Sequence, residues 1–249
     1  MARTRSMSMN SKAAPDHTHT LWLVVPAAGR GTRMRAARPK QYLELEGRPV
    51  IAHTLARLHT AWPEARLVLC LDEHDDWFEA RHVPFSHWQR VTGGSERADS
   101  VMNALIHLDG QAREDDWVMV HDVARPCVDS ADLQRLYAEV CSDPVGGLLA
   151  APVADTMKRQ NAEHRVARTE SREGLWHALT PQAFRYGLLH EALLAARRSG
   201  AAITDEASAI ESLGLAPKLI AGRRDNIKIT HPEDLALARW ILNAQRGDA

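Results

Sequence analysis

Two cations, Arg33 and Lys40, stand in one glycine-bearing stretch: Val25-Pro26-Ala27-Ala28-Gly29-Arg30-Gly31-Thr32-Arg33-Met34, then Pro39-Lys40-Gln41-Tyr42. Ala27 and Ala28 leave backbone N–H groups open to an anion, and Gly29 and Gly31 permit backbone conformations that a Cβ would forbid. Fixed positive charge beside such a loop suits phosphate, so the stretch has the chemistry of a nucleoside triphosphate site. It is not a Walker A loop, which ends in Gly-Lys-Ser/Thr, nor a Rossmann fingerprint, whose third glycine is replaced here by Met34. Alone, a Gly-x-Gly turn with solvated cations is ordinary, so the rest of the chain decides.

Three further clusters carry similar chemistry. His121-Asp122-Val123-Ala124-Arg125-Pro126 follows an apolar strand, which puts Asp122 where open α/β sheets build ligand sites. A carboxylate there suits Mg2+ bridging triphosphate oxygens, and Arg125 suits a second, phosphorylated substrate; the plain alternative is a turn in which Asp122 pairs with Arg125. In Thr92-Gly93-Gly94-Ser95-Glu96-Arg97-Ala98-Asp99-Ser100, a second glycine turn enters a helix and offers N–H and hydroxyl groups to a base edge. As local structure it is a capping box beginning at Ser95. Asp225-Asn226-Ile227-Lys228 ends the set, with Lys228 either reaching a phosphate or simply solvated.

The elements that must position these clusters alternate. Leu21-Trp22-Leu23-Val24-Val25 has the β-branched content of a central strand, Pro49 to His59 is apolar at helical spacing, and Arg66 to Leu71 is the next buried strand. A helix over Ser95 to Leu108 presents Val101, Ala104, Leu105 and Leu108 on one face, before a strand over Trp117 to His121. A helix capped by Ser130 runs to about Cys141, and Gly146 to Pro152 is extended. Val153 to Glu173 is polar and without a helical apolar face, so we expect an extruded arm that either stays mobile or packs against another chain. Extended Trp176 to Pro181, a helix near Leu188 to Arg198, a short helix from Thr204-Asp205-Glu206, a strand at Ile227 to Thr230 and a helix opened by Pro232 complete the core. Strands alternating with helices predict a mostly parallel, three-layer sheet.

Composition narrows the function. The chain has 249 residues, 45% of them hydrophobic, enough for one sizeable core. A net charge of -1, from 31 Lys and Arg against 32 Asp and Glu, speaks against a nucleic-acid binder with a broad basic face. The cysteines, Cys70, Cys127 and Cys141, are odd in number and lack C-x-x-C spacing, which disfavours a disulfide framework or structural zinc and suits a reducing cytoplasm. No run approaches the ~18–20 apolar residues of a membrane helix, and no secretory leader is evident. Met1 to Thr20 is polar and aperiodic, and we expect a disordered extension followed by a single domain over 21–245.

In order, these motifs resemble the 2-C-methyl-D-erythritol 4-phosphate cytidylyltransferase family. The resemblance also rests on Asp155-Thr156-Met157-Lys158, Leu175-Trp176-His177-Ala178-Leu179-Thr180-Pro181-Gln182 and Thr204-Asp205-Glu206-Ala207-Ser208, and it spans Leu21 to about Trp240. It implies a Rossmann-like nucleotidyltransferase fold with a β-arm, and transfer of CMP from CTP to methylerythritol phosphate with release of pyrophosphate, in the non-mevalonate route to isoprenoid precursors. It further implies Arg33 and Lys40 as transition-state cations. Ala27, Ala28, Gly29 and Gly31 match the triphosphate loop, Gly94, Arg97 and Ser100 the cytosine and ribose contacts, and Asp122 the neighbourhood of Mg2+. Arg125, Thr156, Arg172, Thr180, Thr204 and Lys228 match the methylerythritol phosphate pocket, with Thr156 and Arg172 lent by a partner subunit of a homodimer. Two alternatives remain at this level: a cytidylyltransferase for another polyol phosphate such as ribitol 5-phosphate, and a nucleotide-sensing or structural module, which would not need Arg33, Lys40 and Lys228 together.

Overall fold

Alternation along the first strand builds two cores at once. In β1 (Leu21–Pro26), Leu21, Leu23 and Val25 face one side of the sheet and Trp22 and Val24 the other. Both faces are dry because helices cover each, as a parallel sheet requires. A truncation such as Leu23→Ala would cost about 2–5 kcal/mol. The computed structural model describes residues 19–29, 31–34 and 36–247.

A tight hairpin of β2 (Glu44–Leu45) and β3 (Arg48–Pro49) follows, its turn residues Glu46 and Gly47 both at positive φ. It leads into α1 (Val50–Ala61), then β4 (Arg66–Leu71), β5 (Trp88–Thr92), α2 (Arg97–His107), β6 (Trp117–Val120) and α3 (Ser130–Val140). The chain continues as β7 (Gly146–Pro152), β8 (Met157–Gln160), β9 (Val166–Glu170) and β10 (Trp176–Arg185). It closes with α4 (Tyr186–Ser199), α5 (Glu206–Ser212), β11 (Lys218–Ala221) and α6 (Pro232–Gly247).

Seven strands form one sheet in the order β11-β7-β10-β6-β1-β4-β5, all neighbours parallel except those of β10. The three-layer expectation is met: Leu55, Leu58 and Leu136 of α1 and α3 cover one face, and Leu105, Leu189 and Ile210 of α2, α4 and α5 the other. A smaller third core joins Ala238 and Leu242 of α6 to Met34, Leu45, Val50, Cys127 and Ile229, anchoring the segments on either side of Lys40.

Several expectations need correction. Ile227 to Thr230 is not a strand; besides the local bond of the Ile227 N–H to the Asp225 carbonyl at 2.7 Å, its backbone bonds another segment through the Ile229 N–H to the Ala124 carbonyl at 2.8 Å, without a ladder. The cap of α3 is Asp129, which accepts from the Ala131 N–H, rather than Ser130. Glu96, not Ser95, caps α2; the carboxylate of Asp99 accepts from the Glu96 N–H at 3.1 Å and the Ser95 hydroxyl at 2.7 Å. The extended run after the arm continues four residues past Pro181, to Arg185, and β5 and β11 were not anticipated. Thr20 belongs to the fold, its N–H bonded to Asp116 and its carbonyl to the Trp117 N–H, while the disorder expected for residues 1–18 lies outside the described residues.

The arm is a hairpin: β8 and β9 pair antiparallel and are nearly all exposed. Lys158 donates to the Thr169 hydroxyl at 2.7 Å, and the Glu170 carboxylate accepts from both Arg159 and Arg168.

Candidate functional site

Parallel strands aim their carboxyl ends at one edge, and the turns that leave them enclose a cleft of about 470 Å³. Ala27, Ala28 and Gly29 leave β1, Asp72 leaves β4, Gly94 to Arg97 leave β5, and Asp122 to Ala124 leave β6; Lys40, Gln41 and Lys228 complete the wall. The turns after β1 and β5 meet closely at Gly93, where a Cβ would lie 2.3 Å from the Ala28 Cβ. Gly31 has φ +62° and lies against Lys40, whose stem a Cβ there would strike at 2.9 Å. Gly29 has open space where a Cβ would be, room a phosphate can use.

Asp122 is the electrostatic centre. It is buried, and Arg97 Nε donates to its Oδ1 at 2.6 Å while Lys228 Nζ lies 2.7 Å from Oδ2. Arg125 Nε stands 3.8 Å from the same Oδ2. Burial alone would raise its pKa, but Arg97 and Lys228 overcome that and hold the carboxyl well below the usual range. Burial opposes the Arg97 charge, yet Glu206 and Asp122 keep it firmly protonated.

Lys40 is in the opposite position. Its Nζ donates to the Ile229 carbonyl at 3.0 Å, but burial, then repulsion from Lys228, brings its pKa down to about 8, with Arg33 and Arg125 adding to the effect and Asp122 opposing it. A cation whose charge is opposed first by burial and then by neighbouring cations is favoured by an anionic ligand. Arg33 is exposed at the rim, close enough to act on Lys40.

The floor is braced by a neutral relay. His121 is fully buried, and burial brings its pKa down to about 4. The Arg125 carbonyl, 3.1 Å from Nε2, can only accept, so Nε2 donates and Nδ1 accepts from the Thr180 hydroxyl at 3.0 Å. That hydroxyl accepts in turn from the Asp122 N–H at 3.1 Å. Thr180 sits where the β10–β7 register shifts, which frees its backbone from the ladder and leaves its carbonyl to the Asn226 amide at 2.8 Å.

The expected residues thus fall into groups. Ala27, Ala28, Gly29, Lys40, Gly94, Arg97, Ser100, Asp122 and Lys228 line one cleft, with Gly31 on an adjoining hollow, while Arg33 is exposed, lines neither, and reaches the site through its charge on Lys40. Arg125 and Thr180 lie directly behind Asp122. Thr204 is exposed just before the cap of α5. Thr156 and Arg172 sit at the arm's base, exposed, with Arg172 donating to the Ala154 carbonyl, and do not line this cleft. The Gly94 N–H, expected free for a base edge, is taken by the Ser100 hydroxyl at 3.0 Å.

Four participants escaped the sequence. Glu206 takes both terminal nitrogens of Arg97 at 2.7 and 2.8 Å across 109 positions. Gln41 donates to the Ala27 carbonyl at 2.7 Å and fixes the loop, and His121 and Asn226 brace the floor. All four lie inside quoted motifs, but the role of a buried polar side chain is not legible in sequence unless its partner is known.

A glycine-lined cleft with several cations at the carboxyl edge of a mostly parallel sheet is the construction of an α/β nucleotidyltransferase. The sequence model of the 2-C-methyl-D-erythritol 4-phosphate cytidylyltransferase (IspD) family matches residues 21–244, and the chain belongs to that family. The enzyme of that name from Chromohalobacter salexigens is 63% identical over 222 residues, 89% of each chain. Its counterpart from Dechloromonas aromatica is 52% identical over 234 residues, covering 90% of this chain and 98% of the other. Among solved structures, a 4-diphosphocytidyl-2C-methyl-D-erythritol synthase superposes with TM-score 0.78 at 37% identity, covering 91% of this chain and 100% of that one. The Francisella tularensis cytidylyltransferase gives 0.76 at 32% identity, covering 89% of this chain and 99% of that one.

Proposed function

We propose that this chain transfers CMP from CTP to 2-C-methyl-D-erythritol 4-phosphate, giving 4-diphosphocytidyl-2-C-methyl-D-erythritol and pyrophosphate. The observation that carries the reading is the grouping of Lys40, Arg97, Arg125 and Lys228 about Asp122 beside the Ala27–Gly29 loop. A phosphate oxygen of the second substrate attacks the α-phosphorus in line, the bond to the bridging oxygen breaks, and pyrophosphate leaves. The attacking phosphate is already ionised, so no protein nucleophile or base is required; positioning and charge neutralisation do the work. Lys40 and Arg33 hold the α-phosphate oxygens, the loop from Ala27 to Gly31 receives the β- and γ-phosphates, and Gly94, Arg97 and Ser100 face the nucleoside. Lys228, Arg125, Thr180 and Thr204 receive the polyol phosphate. The family assignment favours methylerythritol phosphate over ribitol 5-phosphate.

The chain's donors fit Mg2+ in company with a triphosphate. Asp122 is the buried carboxylate of the cleft, and Mg2+ takes one or two carboxylates beside phosphate oxygens and water. Asp122 would hold the ion, which supplies neutralisation of triphosphate charge. Among the described residues, a second group of possible metal ligands, His19, Asp115 and Asp116, lies at the opposite edge of the sheet, and Asp116 is committed to the Thr20 and Arg113 N–H groups and the Trp22 indole.

Our reading also includes a homodimer in which the arm carries Thr156 and Arg172 to the partner's cleft. It is supported by exposed Val166, Leu175 and Trp176 on and beside the hairpin and by neither residue lining the chain's own cleft. We place the protein in the cytoplasm; its three cysteines form no disulfide, and among the described residues no helix is long and apolar enough to cross a membrane. The test is pyrophosphate release with CTP and Mg2+, comparing methylerythritol phosphate with ribitol 5-phosphate. Release only with the former supports the reading; release with neither overturns it.

A further inference from the structure

Arg97 has five N–H donors, and their distribution is informative. Its two terminal nitrogens grip Glu206 end-on at 2.7 and 2.8 Å, while Nε alone reaches Asp122 Oδ1 at 2.6 Å. Glu206 is 1% exposed, so solvent does not replace that grip and the guanidinium cannot turn without leaving a buried carboxylate unpaired. Asp122 is therefore held by one N–H rather than by a fork, and its Oδ2 is left to Lys228 at 2.7 Å. Without Glu206, a fork of Arg97 on both Asp122 oxygens becomes the better arrangement, and it displaces Lys228.

We propose that Glu206 is a positioning residue: it confines Arg97 to a single contact with Asp122, reserves the second Asp122 oxygen for Lys228, and so fixes the spacing between the nucleotide and polyol-phosphate halves of the site. The inference rests on the proposed function for the identity of the two ligands. Glu206 is suited to the task because its backbone is secured independently. Gln182 accepts from the Ala207 N–H at 2.8 Å and donates to Asp205 at 2.8 Å, and Asp205 and Ser208 close a capping box at the start of α5. Changing the Glu206 side chain therefore leaves the helix anchored to β10. The same turn carries Thr204, two residues earlier, so the clasp joins an expected polyol-phosphate residue to the nucleotide cleft.

The test uses the full chain with Glu206→Gln, Arg97→Lys and the double variant, measuring CTP binding by calorimetry, KM and kcat for both substrates, and the melting temperature. Glu206→Gln should weaken CTP binding and raise KM for methylerythritol phosphate, each about tenfold, with kcat at saturation within about threefold of the parent. The double variant should bind CTP no worse than Arg97→Lys alone, because both changes act through one guanidinium. Glu206→Asp, which keeps the charge but shortens the reach, should recover part of the CTP affinity and keeps the test open if the glutamine variant does not fold. Additive losses, unchanged KM values, or a fall in melting temperature with neither affinity changed would each overturn the proposal. Failure of the parent to form product would reject the proposed reaction instead, while calorimetry would still judge the clasp.

Discussion

Replacing Lys40 by methionine should make the protein slower and more stable together. The ammonium is charged in water up to its ordinary 10.5, but in the fold its pKa is about 8, so below that pH the folded state carries the cost of keeping it charged. The full difference corresponds to roughly 3 kcal/mol, and partial exposure cuts it to about half. Losing the bond to the Ile229 carbonyl returns about 1 kcal/mol. The net expectation at pH 7 is a gain of roughly 0.5–1 kcal/mol, or about 1–3 °C in melting temperature. The sign follows from linkage: between about 8 and 10.5 the unfolded chain still binds a proton that the folded one has released, so the parent's stability rises with pH and the gap to Lys40→Met narrows. Activity moves the other way. Turnover should fall about 10²–10³-fold, and in the parent kcat/KM for CTP should decline about tenfold per pH unit above about 8. Arg33→Ala, at an exposed position, should slow turnover comparably without the stability gain. Calorimetric melts from pH 6 to 10.5, with steady-state rates at saturating CTP, check both halves. A Lys40→Met protein that loses more than about 2 kcal/mol, or that turns over normally, refutes the argument.

Gly93→Ala should raise KM for CTP at least about tenfold while the sheet stays folded, because its Cβ would meet Ala28 at 2.3 Å and push the two turns apart; steady-state kinetics with circular dichroism measure this. CTP should be preferred over UTP, ATP and GTP, since a site that hydrogen-bonds one base leaves polar groups unpaired with another; comparable efficiency with ATP at matched Mg2+ would reject the nucleoside assignment. Mixing inactive Arg172→Ala with inactive Lys40→Ala chains should partly restore activity through dimers with one intact site; verified mixed dimers as inactive as either parent would show that the arm does not complete its partner's cleft.

What the sequence determined was local and periodic. The apolar run in β1, the helical spacing of α1 and α2 and the glycine turns specify a parallel α/β sheet, because burial period and turn chemistry act within a few residues of one another. Short, part-exposed strands escaped it: β5 is partly exposed and β11 mostly so, and both exist because a neighbouring strand supplies the ladder. Lys228 could be named from its motif, but whether it was solvated or engaged depended on Asp122, more than a hundred positions away. Only the tertiary structure gave Arg97 its two carboxylates, tuned Lys40 by burying it near Lys228, and fixed the His121 tautomer through the Arg125 carbonyl. Those properties are set by distance and dielectric between side chains from different strands, and neither quantity is written in the order of residues along the chain.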